Sequence, residues 1–165
     1  MLDVVLDADP EWDSSTDWQA LAEASCNAAI AESAFPQLAA RDVELSMRLA
    51  GNEEVRGLNA EWRDKDKPTN VLSFPMAGAD DLKSKANGPG LMLGDIILAH
   101  GVCASEAMEK DVALDVHAAH LMVHGTLHLL GYDHMDEDSA ADMEAREIRA
   151  LARIGIADPY AGDAC

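Results

Sequence analysis

The chain reads as an α/β fold of the α+β kind. About four strands form a small sheet and about five helices pack on it, in a single domain covering residues 1–165. Three observations predict this. Strand-like patterns dominate the first half of the chain and helical patterns the second. A length of 165 residues with 48 % apolar content suits one hydrophobic core. No internal repeat or low-complexity stretch points to a second domain.

The elements follow in order. Leu2 to Leu6 form a first strand, and Thr16-Asp17 cap a helix running to about Ser33, ended by Pro36. Val43, Leu45, Met47 and Leu49 alternate with Glu44, Ser46 and Arg48, the period of two of a half-buried strand. Gly51-Asn52 turns the chain, with Asn52 as the cap of a short helix bearing Val55, Leu58 and Trp62. Thr69 to Phe74 is a strand stopped by Pro75, and residues 77–90, with Gly78, Asn87, Gly88, Pro89 and Gly90, read as a loop. Leu91 to Ala99 is a strand with a local irregularity at Gly94-Asp95. Helices then cover about 101–109, 113–130 and 137–154, and Gly131 ends the second of them in a left-handed conformation.

The 12 Lys and Arg residues against 31 Asp and Glu give a net charge of −19, which disfavours non-specific binding to nucleic acid. Six basic residues nevertheless fall together at Arg41, Arg48, Arg56, Arg63, Lys65 and Lys67, so contact with a polyanion is expected from that part of the chain. No run has the length of a membrane span, and Met1-Leu2-Asp3-Val4-Val5-Leu6-Asp7 lacks the basic start of a secretory signal. Cys26, Cys103 and Cys165 form no C-x-x-C pair, so a reduced, cytoplasmic protein without a thiolate metal site is expected.

Residues 124–134 read H-G-T-L-H-L-L-G-Y-D-H. Four residues apart on a helix, His124 and His128 share a face, about 5–6 Å between Cβ atoms. Gly131 permits a reversal that brings His134 in from outside the helix. Three imidazoles at this spacing hold one metal ion with a coordination position open for chemistry. His120 lies on the same stripe but is eight residues from His128, about 12 Å along the axis. One ion cannot be reached from both, which leaves His120 as a neighbour or core residue. Asp133, Asp136 and Glu137 are candidates to orient a ligand imidazole. The spacing H-x-x-x-H-x-x-G-x-x-H is also the metzincin peptidase frame, where the residue after the first His is a general-base Glu. Gly125 stands there in this chain and cannot take a proton.

H-G-T-L-H-L-L-G-Y-D-H resembles the signature of the YbeY-type endoribonucleases, bacterial rRNA maturation factors. Leu58-Asn59-Ala60-Glu61-Trp62-Arg63-Asp64-Lys65-Asp66-Lys67-Pro68-Thr69-Asn70-Val71-Leu72-Ser73-Phe74-Pro75 resembles a second segment of that family. Leu93-Gly94-Asp95-Ile96 and Asp158-Pro159-Tyr160 are also similar to it, so the likeness extends over about residues 43–160. The resemblance implies a small mixed sheet and one zinc ion on His124, His128 and His134. It implies cleavage of single-stranded RNA, a role in small-subunit rRNA 3′-end maturation and ribosome quality control, and association with ribosomal components in the bacterial cytoplasm. The family's functional arginine maps onto Arg63, with Lys65 two residues later.

A dipositive ion on three neutral imidazoles acidifies water and so replaces the missing glutamate. Arg63 would meet the negative charge that builds on a phosphodiester with paired N–H donors, and Lys65 would add a point charge. Ser73 and Asp95 are further candidates to line the cleft. Two other readings use the same histidines: a metal hydrolase of another class, such as a peptidase, and a non-catalytic ribosome-assembly factor with a structural zinc.

Overall fold

A computed structural model describes residues 2–83, 90–133 and 135–160. Its four strands are β1 (Leu2–Ala8), β2 (Val43–Ala50), β3 (Val71–Pro75) and β4 (Leu91–Ala99), in the order β1-β2-β4-β3. The pairs β1–β2 and β2–β4 are parallel, while β3 runs antiparallel to β4 at the edge of this mixed sheet. Pro75 closes β3, an edge position where its missing N–H breaks no inner ladder.

The alternation in β2 predicts its buried face correctly: Val43, Leu45, Met47 and Leu49 are all buried. The alternation in β4 changes phase. Leu45 pairs with Gly94, whereas Glu44 pairs with Met92, so Leu93 is an extra residue and the expected irregularity is a β-bulge. Gly94 has φ +147°, and a Cβ there would stand 2.3 Å from the Phe74 carbonyl oxygen and 2.9 Å from Leu129 Cδ2. The missing side chain lets β3 and the end of the histidine-bearing helix close on β4.

Six α-helices are described: α1 (Trp18–Ala31), α2 (Asn52–Arg63), α3 (Ala79–Lys83), α4 (His100–Lys110), α5 (Leu114–Leu129) and α6 (Glu137–Arg153). A 3-10 turn spans Pro36–Ala40. Asp17 caps α1, accepting from the Ala20 N–H at 3.0 Å. Asn52 departs from the expected cap. Gly51 takes that position, and the Asn52 side chain instead accepts from the Val102 N–H at 3.1 Å, satisfying the first turn of α4. The stretch read as a loop contains the short helix α3; residues 84–89 lie outside the described residues.

Helix α5 is buried on nearly every side, as an all-round apolar sequence requires. Leu121, Met122 and Leu129 join Leu45, Met47, Leu93, Ile96 and Leu98 of the sheet in the main core. Ala119, Val123 and Leu127 pack with Met143, Ala150 and Leu151 of α6. A smaller cluster of Ala50, Val55, Leu72 and Ala99, with Leu58 and Ile97 against it, holds α2. The histidines thus project from the most constrained element of the fold. Among the described residues, no helix is long and apolar enough to cross a membrane.

Candidate metal centre and its cleft

His124 and His128 fall on one face of α5, with their Nε2 atoms 3.0 Å apart and ring centroids 4.5 Å apart. Two nitrogens held about 2.0–2.1 Å from one tetrahedral ion stand roughly 3.3–3.4 Å apart, so this pair fits a shared ion with little adjustment. Gly131 adopts φ +96°, and the Tyr132 N–H bonds back to the Leu127 carbonyl at 3.0 Å. The chain reverses there, as its glycine predicts. His134 lies outside the described residues.

His124 Nδ1 makes a short hydrogen bond to Glu147 Oε1 of α6. Glu147 is fully buried. Burial pushes its carboxyl up, but nearby His120, the hydrogen bond from His124 and the Tyr160 hydroxyl outweigh this and hold it down at about 2. An ionised carboxylate only accepts, so His124 donates its Nδ1–H and presents the Nε2 lone pair, the tautomer a metal requires. The other oxygen, Oε2, accepts from the Tyr160 hydroxyl at 2.5 Å and lies 3.6 Å from His120 Nε2.

Glu147 is the site residue that sequence reasoning missed. The candidates were Asp133, Asp136 and Glu137. Asp136 instead caps α6 through the Ser139 N–H at 2.7 Å, Glu137 is exposed, and Asp133 accepts from the Met135 N–H at 3.3 Å. The available signal was a carboxylate on the buried stripe of α6, between Met143 and Leu151. His120 is the neighbour that the spacing argument expects: it is buried, with its Nε2 3.2 Å from the Tyr160 hydroxyl.

A cleft of about 430 Å³ opens beside the histidines. His124, His128 and Asp133 line it on one side; Arg63, Asn70 and Ser73 are among the residues lining it on the other. Arg63 ends α2, and Asp64 stops the helix in a left-handed conformation with φ 57°. The Arg63 guanidinium is exposed and donates one bond to the Ser73 carbonyl at 3.3 Å. Lys65 is exposed and is not among the residues lining the cleft. Asp95 also lies elsewhere, in a groove with Trp62, Phe74 and Ile97.

The basic stretch is not one continuous patch. Arg48 is held by Asp7, Asp9 and Glu54, and Arg56 by Glu53 and Asp66. Among the described residues Arg63 makes no ion pair, so its charge faces the cleft uncompensated.

Gly125 turns toward the sheet. A Cβ there would stand 3.1 Å from both Ile96 Cγ2 and Ser73 Oγ. The position that carries a base in the metzincin frame is therefore occupied here by a helix–sheet contact.

A second buried histidine ties α5 to α4. His117 Nε2 lies 2.8 Å from Glu106 Oε1, whose carboxylate also accepts from Asn70 Nδ2 at 3.1 Å. Burial lowers the His117 pKa by more than Glu106 raises it. A histidine lowered in this way disfavours the folded state once the unfolded chain starts to take the proton. Its contribution is intact above the ordinary value of 6.5 and declines below it. Glu147 acts in the same direction between 4.5 and about 2. With chelator present, the Tm should fall in two stages as pH is lowered through these windows. His117→Gln should flatten the upper stage in a scanning-calorimetry series.

Fold and site together define a small α/β protein with a pair of facing histidines beside an arginine-bearing cleft. The family model described as Endoribonuclease YbeY matches residues 8–155, and the chain belongs to that family. It is 50 % identical over 165 residues to the Endoribonuclease YbeY of Rhizorhabdus wittichii, covering 98 % of each chain. It is 52 % identical over 165 residues to that of Sphingopyxis alaskensis, again covering 98 % of each. The solution structure of TM1509 from Thermotoga maritima shares the fold, with a TM-score of 0.54 at 21 % identity over 94 % of this chain and 92 % of that one.

Proposed function

We propose that the chain is a zinc-dependent endoribonuclease specific for single-stranded RNA, with His124, His128 and His134 as ligands of one zinc ion and Arg63 as a catalytic residue. The observation that carries this reading is the cleft shared by Arg63, His124 and His128. Membership of a family named for endoribonuclease activity supports the substrate class. When bound, the ion supplies Lewis acidity and activates water.

The chain's own residues do the rest. Glu147 keeps His124 in its metal-binding tautomer. Arg63 offers the N–H donors not spent on Ser73 to a phosphate in the cleft, where they meet charge developing on the non-bridging oxygens. Asn70 is anchored by Glu106 and keeps that wall of the cleft in place. Lys65, outside the cleft lining, serves as a point charge for phosphates farther along the strand.

The acidic balance of −19, with Arg48 and Arg56 neutralised, leaves little free positive charge for capturing naked RNA. The substrate is accordingly rRNA presented by the small ribosomal subunit and its proteins, in the cytoplasm, during 3′-end maturation and quality control. Purified protein should cleave a single-stranded RNA oligomer, lose that activity to a chelator and regain it with zinc. Cleavage that persists through rigorous chelation would sink the metal-dependent reading.

A further inference from the structure

We propose that Tyr160 is a positioning residue of the metal centre, acting through Glu147 on His124, so that metal retention depends on the segment that follows α6. The inference rests on the reading that His124 and His128 hold a metal.

Four contacts fix the Tyr160 hydroxyl. Its own N–H bonds to Asp158 Oδ1 at 2.8 Å, which fixes the turn that presents the ring. The ring stands edge-on to His120, with centroids 5.4 Å apart at 87°. The hydroxyl then lies between Glu147 Oε2 at 2.5 Å and His120 Nε2 at 3.2 Å. Since the carboxylate only accepts, Tyr160 donates to Glu147 and accepts from the Nε2–H of His120. This leaves His120 Nδ1 as a lone pair, in agreement with its being buried without a hydrogen-bond partner.

The chain of donors runs His120 to Tyr160 to Glu147, and Glu147 accepts from His124 on its other oxygen. A fully buried carboxylate with both oxygens engaged cannot rotate away from His124. Without the hydroxyl, Oε2 keeps only His120 at 3.6 Å, and the carboxylate is free to turn toward it. Outer partners of metal-binding imidazoles commonly contribute about 10–100-fold in metal affinity. Tyr160 acts one step farther out and belongs at the lower end, about tenfold.

The test uses the full chain, with zinc affinity measured by competition against a chromophoric chelator. The visible spectrum of the cobalt-loaded protein and the Tm of the metal-free protein are recorded in parallel. Tyr160→Phe keeps the ring against His120 and removes only the hydroxyl; Tyr160→Ala removes both. A positioning role predicts that Phe and Ala weaken zinc binding alike, by about tenfold. It also predicts an altered cobalt spectrum for Phe, with a metal-free Tm near wild type. Zinc affinity for Phe within twofold of wild type, with loss only for Ala, would show that Tyr160 merely packs and would overturn the proposal. A wild-type chain that binds neither zinc nor cobalt would overturn the metal-site reading and this one with it.

Discussion

Arg63→Ala should slow RNA cleavage by about 100–1,000-fold while leaving the zinc content unchanged. The guanidinium lines the cleft with His124 and His128, but its hydrogen bond goes to the Ser73 carbonyl on β3 and not to either histidine. Removing it therefore leaves His124, His128 and Glu147 intact. Arg63 is exposed at the last turn of α2, so the fold loses a favourable helix-end charge, about 0.3–1 kcal/mol, and one long hydrogen bond to the Ser73 carbonyl. The transition state loses more. Removing one preorganised donor that meets developing oxyanion charge costs about 100–1,000-fold in kcat, or roughly 2.7–4 kcal/mol. Arg63→Lys should recover only part of this, because an ammonium restores the charge but not the planar fork. Measuring zinc content, Tm and single-turnover cleavage on the same preparations separates these effects. Unchanged cleavage by the Ala variant, with contaminating nucleases excluded, would refute the role given to Arg63.

How far the sequence could be read depended on whether the information was local. The alternation in β2, the capping Asp17 and the glycine at the end of α5 each act over a few residues, and the structure places them as those patterns predict. Asp95 shows where local reading stops. The bulge at Gly94 inserts one residue into β4, so counting alternate positions through it assigns the wrong face, and Asp95 lies away from the cleft. By charge alone, Arg48 and Arg63 look equivalent in a basic stretch. Only folding brings Asp7 of β1 and Glu54 of α2 onto Arg48 and leaves Arg63 uncompensated. Glu147 sits in a helix rich in Glu, Asp and Arg, where its place on the buried stripe sets it apart but does not name its partner. Its meaning comes from facing His124 across two packed helices, a relation that neither helix encodes alone.

Gly125→Glu tests whether the missing base is an accident of sequence or a requirement of the fold. The substitution rebuilds the peptidase frame, so a site lacking only its glutamate would gain a general base. The structure predicts the opposite. A Cβ at residue 125 stands 3.1 Å from Ile96 Cγ2 and 3.2 Å from Ile96 Cδ1, side-chain atoms held in the core between sheet and helix. It also stands 3.1 Å from Ser73 Oγ, which donates to the Gly125 carbonyl at 3.4 Å. A glutamate would have to push α5 off the sheet or bury its charge without a partner. An uncompensated buried charge alone costs about 3–5 kcal/mol. The variant should lose stability on that scale, show no peptide cleavage, and bind zinc less tightly as His124 and His128 shift with the helix. Gly125→Ala separates size from charge: the contacts at 3.1–3.2 Å must yield by a few tenths of an ångström, so it should destabilise far less than Glu. Urea denaturation of the metal-free proteins orders the three chains. A Glu variant as stable as wild type would show that this close helix–sheet contact does not dictate the glycine.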